Sequence, residues 1–352
     1  MAELRKNKKI AVLSPVAWRT PPRQYGAWET VASNIAEGLV ERGWDVTLFA
    51  TKDSITKAKL HAVINKGYEE DPSQEAKVVE CLQISEMMEH AAAFDLIHNN
   101  YDFLPLTYTR LINTPMLTTI HGFSSDNIRR VYRKYKHDSY YVSISDSDRD
   151  SELPYLGTVY NGIDLSNLTV GESRGDKLVF LGRIHPDKGT HLACETAKKA
   201  GMELIVAGII QDENYFNEKV KPYIDDKQIS YIGPVGPPER DALFKQAYAL
   251  LHLNELPERF GLVMAEANGA GVPVIAYDRG SCREVVADGE TGFLVTNIDE
   301  AVEAVKKIDT IDPTACRRRV EECFSIPTMV KAYEKVYLDV FKLEEEKMHV
   351  RY

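Results

Sequence analysis

Two stretches of the chain combine acids, cations and glycines at spacings suited to a phosphorylated ligand. The first is Glu258-Arg-Phe-Gly-Leu-Val-Met-Ala-Glu266, which lies between an apolar run ending near Leu253 and another beginning at Pro273. A helix starting near Gly261 aims its first free N–H groups, those of Phe260, Gly261, Leu262 and Val263, at whatever lies beyond the neighbouring strand ends, and that makes an anion site. Gly261 lets the backbone approach closely. Glu258 precedes the helix and Glu266 lies more than one turn inside it, so the two acids can bond two different hydroxyl-bearing parts of one ligand. As an isolated pair they would read as a helix cap and a solvated face residue. The second stretch, Leu181-Gly-Arg-Ile-His-Pro-Asp-Lys-Gly189, favours the ligand reading. It is another strand-to-helix turn, in which Arg183 and Lys188 flank a helix N-terminus and can face a diphosphate from the same rim of a sheet.

The elements that must position these residues follow from hydrophobic patterning. In the first half, a strand at Ile10–Leu13 leads through a Pro-rich loop to a helix at Trp28–Arg42 and a strand at Asp45–Ala50. Further strands are expected at Leu96–His98, Met116–Ile120 and Tyr140–Ile144. Wholly apolar short strands around an amphipathic helix indicate a parallel sheet covered on both faces. The pattern restarts at Leu178–Leu181 and alternates helix with strand: helix 189–200, strand 203–207, a helix around Val220, strand 229–232, helix 240–247, strand 249–253, helix 262–268, and strands 273–276 and 293–295. Two successive doubly wound α/β units result. Turn residues concentrate between Asn161 and Arg174, where the join is expected. Apolar residues at helical spacing from Met329 to Leu343 predict a C-terminal helix.

Composition narrows the function. The 352 residues are 44% hydrophobic and 27% charged, ordinary globular usage for two domains. Lys and Arg number 43 against 53 Asp and Glu, so nucleic acid is a poor general partner and any anion must be held locally. The five cysteines have no paired spacing for zinc or disulfides, which fits a reducing compartment. Pro15 and Arg19 interrupt the first apolar run too early for a signal peptide, and no apolar run is long enough to cross a membrane. A cytoplasmic location is the default, with peripheral membrane contact left open.

The sequence resembles the GT-B nucleotide-sugar glycosyltransferases, specifically retaining family 4 (glycosyl transferases group 1). The resemblance rests on Glu258-x7-Glu266, the LGRIHPDKG turn, VYNGIDL at Val159–Leu165, and the run Gly271–Val295. In the first half it rests on YGAWETVASNIAEGLVERGWDVTLFAT and the TTIHG strand end at Thr118–Gly122. It implies two Rossmann-like domains, residues 1–165 with a crossing-back helix at 329–352, and residues 166–328. It further implies that Arg183 and Lys188 hold a donor diphosphate, that the backbone from Phe260 to Val263 contacts phosphate and sugar, and that Glu258 binds sugar hydroxyls and Glu266 the ribose. Ile232, Gly233 and Val235 would wall the base. His121 would reach the transferred sugar, and Gly26 would lie beneath the diphosphate. Gly26-Ala27 stands where the family commonly has two glycines, and Arg259 where it has proline. Transfer of a hexose from a UDP- or GDP-sugar to a hydroxyl acceptor follows, with no cofactor and no metal. The alternatives are a nucleotide-sugar epimerase of the same fold and a silent sugar-nucleotide-binding module.

Remaining candidates are weaker. Trp18, Arg19, Arg23, Asn99, Asn100 and Tyr101 lie in loops expected to meet the acceptor. Asp146-Ser147-Asp148 spells a metal motif of another glycosyltransferase fold, but Ser145 before it reads better as a helix cap. Arg129, Arg130, Arg133, Lys134 and Lys136 read as a solvated helix face in preference to an anion site. His98 reads as a strand-end core residue.

Overall fold

The computed structural model describes residues 8–123 and 125–350. The chain divides into two units, one formed by the chain up to Gly162 together with the segment from Ile326, the other by Ile163–Ser325. The sequence placed these crossings three residues further along, at 165/166 and 328/329. They fall earlier because Ile163 bridges Ser325 and donates its N–H to the Phe324 carbonyl at 2.7 Å, which keeps both within the second unit.

In the first unit the strands are β1 (Lys9–Leu13), β2 (Asp45–Phe49), β3 (Lys59–His61), β4 (Leu96–Asn99), β5 (Met116–Ile120), β6 (Tyr140–Ser143) and β7 (Tyr155–Thr158), in the order β3-β2-β1-β4-β5-β6-β7. All neighbours are parallel; Ala11, for example, is opposite Thr47 on one side and Ile97 on the other. Ile10 to Leu13 are fully buried, as a strand covered on both faces requires. Helix α1 (Ala27–Glu41) buries Val31, Ile35 and Leu39, spaced by four along one face. Helices α2 (Ala76–Glu89) and α3 (Asp126–Lys134) also belong here.

The second unit is a six-stranded parallel sheet of β8 (Lys177–Leu181), β9 (Leu204–Ala207), β10 (Ile229–Tyr231), β11 (Ala247–His252), β12 (Val274–Tyr277) and β13 (Gly292–Val295), in the order β10-β9-β8-β11-β12-β13. Its helices include α4 (Thr190–Ala200), α5 (Pro237–Lys245), α6 (Leu262–Gly269), α7 (Ile298–Val305) and α8 (Pro313–Cys323). This doubly wound pair of sheets is the GT-B architecture.

The last helix, α9 (Ile326–Val350), belongs to the first unit. Val330, Tyr333 and Tyr337 are fully buried. The Tyr337 hydroxyl lies 2.7 Å from His98 Nδ1, the Tyr333 hydroxyl 2.9 Å from Thr119 Oγ1, and Trp44 Nε1–H donates to Glu334 at 2.9 Å. On α1, Gly38 permits this packing, because a Cβ there would stand 2.5 Å from Val330 Cγ2.

Two local expectations are corrected. Residues 146–148 form a turn, not a helix start: Thr158 donates to Asp146, and Arg149 folds back onto Ser143 Oγ at 3.0 Å and Thr158 Oγ1 at 2.6 Å. Around Val220 a succession of short helical turns replaces the expected helix, and Pro222 interrupts the amide ladder there.

Candidate active site

Strand order alone marks two places where chemistry can be sited. In each sheet the connections run outward in opposite directions from one central pair, β1/β4 in the first unit and β8/β11 in the second. At such a switch point the loops beyond the strand ends diverge and leave room for a ligand. The Arg183–Gly189 turn follows β8, and the Asn254–Gly261 loop follows β11, so both chemistry-bearing stretches meet at one switch point.

Three ties hold these loops together. Gly189 adopts a left-handed conformation (φ 62°), and a Cβ on it would stand 2.2 Å from the Leu253 carbonyl oxygen, so only glycine lets the turn rest on the end of β11. The Glu255 N–H donates to the Asp187 carbonyl at 2.9 Å. Lys188 Nζ donates to Glu258 Oε2 at 2.8 Å. The same Oε2 lies 3.1 Å from His252 Nε2 and accepts from Asn254 Nδ2 at 2.6 Å, while Oε1 accepts the Arg259 N–H at 3.0 Å. Burial alone would push the Glu258 carboxyl up, but Lys188 and His252 hold it well below the usual carboxylate range. Glu258 is therefore a buried carboxylate that aims Lys188, a closer partnership than the separate roles the family resemblance implies for them. Its backbone is fixed by the Ser281 N–H on the Glu258 carbonyl at 3.0 Å.

Arg183 donates to Asp187 Oδ2 at 3.0 Å and to Gln211. A guanidinium carries five N–H donors, more than these contacts consume. Beside it the backbone is packed glycine on glycine. A Cβ on Gly208 would stand 1.7 Å from the Gly182 carbonyl oxygen, and the Gly208 N–H donates to the Gly233 carbonyl at 2.9 Å. The ends of β8, β9 and β10 thus present main chain in place of side chains. Past β10, Ile232 is half-exposed and Val235 buried.

Gly261 precedes α6 with φ 86°, and the Met264 N–H is the helical amide that returns to its carbonyl at 3.0 Å. The amides of Leu262 and Val263 come before that first closure, at the open end of the helix. The Phe260 side chain is buried edge-on against Phe324, at 5.6 Å between centroids, and anchors the turn. Glu266 is largely buried and receives a hydrogen bond from Arg240 of α5, not the solvated position of an isolated helical glutamate.

In the first unit, Gly26 precedes α1 at φ 145°, where a Cβ would approach Pro22 to 2.9 Å and Glu29 Oε2 to 3.1 Å. Glu29, in the first turn of α1, is buried and accepts the Trp18 N–H at 3.3 Å; burial raises its carboxyl to about 7. His121 follows β5, stacked on Trp28 with centroids 5.7 Å apart, and burial lowers it to about 3. Its Nε2 lies 3.0 Å from Asn100 Oδ1, and Asn100 Nδ2 donates to the His98 carbonyl. Because Oδ1 only accepts, His121 Nε2 carries the proton and Nδ1 keeps its lone pair.

The expected acceptor loop is corrected in part. Asn99, Asn100 and Tyr101 are buried, and both asparagine side chains are committed: Asn99 to the Tyr101 N–H and the Asp102 carbonyl, Asn100 to His121 and His98. Buried amides must find partners, and here they brace the β4 strand end. Arg23 is exposed and paired with Glu70 and Asp53, the Arg19 N–H is bound to Glu70, and Trp18 is half-buried. Of the basic cluster, Arg129 and Arg133 converge on buried Asp150 at 2.9 and 3.1 Å, so they hold the turn after β6. His98 lies in the core, bonded to Tyr337 and Thr119.

Reading of the sequence missed His252, Asn254, Asp187, Gln211, Arg240 and Glu29. Asp187 sits inside the DKG turn and Asn254 directly after an apolar strand, both legible positions; Arg240 and Gln211 come from elements whose spacing to the site carries no signal.

The two doubly wound sheets define a GT-B protein. Two family models match: "Glycosyl transferases group 1" over residues 171–319 and "Glycosyltransferase Family 4" over residues 28–167. The chain belongs to the group 1, family 4 glycosyltransferases. Among similar proteins, an uncharacterized 41.2 kDa protein in the cps region of Klebsiella pneumoniae is 30% identical over 57% of this chain and 60% of its own length. A phosphatidyl-myo-inositol mannosyltransferase of Mycobacterium leprae is 27% identical over 59% of this chain and 62% of its own. The chain thus spans about three-fifths of the length of these relatives. The crystal structure of Anabaena HepE in complex with UDP and glucose superposes with a TM-score of 0.73 at 18% identity, covering 94% of this chain and 99% of that one. No helix among the described residues is long and apolar enough to cross a membrane.

Proposed function

We propose that this protein is a cytoplasmic, metal-independent retaining glycosyltransferase that moves a hexose from a UDP- or GDP-linked donor to a hydroxyl acceptor. The observation that carries the reading is the convergence of Arg183, Lys188 and the open amide end of α6 at the β8/β11 switch point. Departure of a nucleoside diphosphate builds negative charge on the β-phosphate, and fixed cations and helix-terminal amides stabilise that charge without a metal. Glu258, already ionised, aims Lys188 and would accept sugar hydroxyls. Glu266, oriented by Arg240, would read the ribose. The glycine-packed strand ends and Ile232–Val235 offer main chain and a flat apolar edge to the base. His121, neutral at physiological pH, would accept a sugar hydroxyl at Nδ1 without adding a charge. A uridine nucleotide has added support from HepE, whose crystals hold UDP and glucose.

The test is turnover of UDP- and GDP-hexoses with and without added acceptors, after thermal-shift ranking of UDP, GDP and ADP. Arg183→Ala and Lys188→Ala should each lower turnover by roughly 100- to 1000-fold. Near-normal rates in both variants would refute the diphosphate assignment. An epimerised sugar formed from donor alone would make the protein an epimerase, and binding with no turnover a silent module.

A further inference from the structure

At the outer edge of the first sheet, three ligand-type side chains come together that no part of the proposed transfer uses. His61 ends the edge strand β3; Glu86 lies in the last turn of α2, and His90 stands four residues later, immediately after that helix, on the same face. His61 Nε2 is 2.7 Å from Glu86 Oε1, and His90 Nδ1 is 3.5 Å from the same oxygen. One ligand atom from each side chain lies within 4.8 Å of the other two. The imidazoles are 4.8 Å apart between centroids, and the His61 ring is stacked on Phe49 at 4.7 Å, which fixes its orientation.

We propose that His61, Glu86 and His90 form a zinc site, with the remaining coordination position left to water. Tetrahedral zinc with bonds of about 2.0–2.1 Å holds its ligand atoms about 3.4 Å apart, a spacing that the present separations bracket. Two imidazoles and one carboxylate are borderline donors that favour zinc over magnesium or calcium, which take oxygen-only shells. The side chains are between a quarter and a half exposed, so an ion reaches them from solution. Zinc would replace the His61–Glu86 hydrogen bond by two coordinate bonds, and a third bond from His90 Nδ1 would displace its present 2.9 Å contact with the Glu86 carbonyl. β3 has three residues and a single neighbour, β2, and the ion would tie this short edge to α2. Binding the folded form alone, it raises the melting temperature in proportion to the logarithm of zinc concentration.

The experiment is calorimetric titration of the full, untagged, EDTA-stripped chain with zinc chloride, paralleled by the visible absorption of the cobalt(II) form. One site per chain is expected, with tetrahedral cobalt bands. Loss of an outer-shell partner typically weakens metal binding 10- to 100-fold, so His61→Ala, Glu86→Gln and His90→Ala should each cost roughly tenfold or more. Cys81→Ser and His349→Ala, which change exposed groups outside the trio, should leave binding intact. Circular dichroism of each metal-free variant separates lost binding from lost fold, and the cobalt spectrum of the unaltered chain reads the ligand set in any case. No saturable binding, binding indifferent to all three trio variants, or binding abolished by Cys81→Ser would overturn the proposal.

Discussion

Gly189→Ala separates positioning of the cation from its mere presence. The new Cβ would stand 2.2 Å from the Leu253 carbonyl oxygen, and moving it out to 3.0 Å shifts the turn by about 0.8 Å. Lys188 is the preceding residue, so its 2.8 Å contact with Glu258 shifts with it. Misplacement by about 1 Å costs on the order of 100-fold in rate when geometry is what the site supplies. The left-handed backbone adds about 1 kcal/mol, and the steric overlap roughly 1–3 kcal/mol more. Gly201→Ala is the matched control: Gly201 has φ 68°, and a Cβ there meets nothing within 4 Å. It should cost only the backbone term, about 1 kcal/mol, and leave turnover unchanged. Urea melts followed by fluorescence, together with donor turnover on both variants, decide the matter. If Gly189→Ala melts like Gly201→Ala and retains its rate, the reasoning about the turn is wrong.

Other expectations are independent of that turn. Glu29 is raised from 4.5 to about 7 by burial, so the folded state binds a proton more tightly than the unfolded one. Its stability contribution is full below pH 4.5 and declines as pH rises to about 7. Glu29→Gln should therefore gain about 3 kcal/mol over the unaltered chain at pH 8 and little at pH 4.5, and a difference independent of pH across denaturant melts would contradict the assignment. Tyr337→Phe strands buried His98 Nδ1 and should cost about 1–3 kcal/mol in stability, read by melting, with donor affinity unaffected. Donor turnover should persist in EDTA, and loss restored by added metal would return attention to Asp146 and Asp148. Arg240→Met should raise the KM for donor with a smaller change in kcat, since Arg240 acts through Glu266; an unchanged KM would remove Glu266 from the nucleotide site.

How legible each part was follows from the signal it carries. Strands such as Ile10–Leu13 are fully apolar because both faces are covered, and they stand out. In α2 the exposed Val78 and Leu82 put apolar residues on the face opposite buried Val79, Ile84, Met87 and Met88 and blur the period; helices α3 and α8 fail for a different reason. In α8 only Cys316 and Val320 are buried, in α3 only Tyr132, so their apolar stripes are too thin to register as a period. Arg183, Lys188 and Glu258 were readable because each sits in a loop directly after an apolar strand. That Glu258 and Lys188 contact one another was not, since it depends on β8 and β11 being neighbours across some seventy intervening residues. The burial of Asn99 and Asn100 was hidden for a related reason: polar residues after a strand look like loop, and only the β1 and β5 ends packed around them close them off from water.

Helix α9 has a consequence for synthesis. The ribosome delivers Tyr333 and Tyr337 only after the whole of Ile163–Ser325 has emerged, yet these side chains close the core around His98 and Thr119. The second unit has all its strands in hand earlier, so in the nascent chain it is the later-made half that completes first, while the earlier-made sheet waits with one flank uncovered for its final helix.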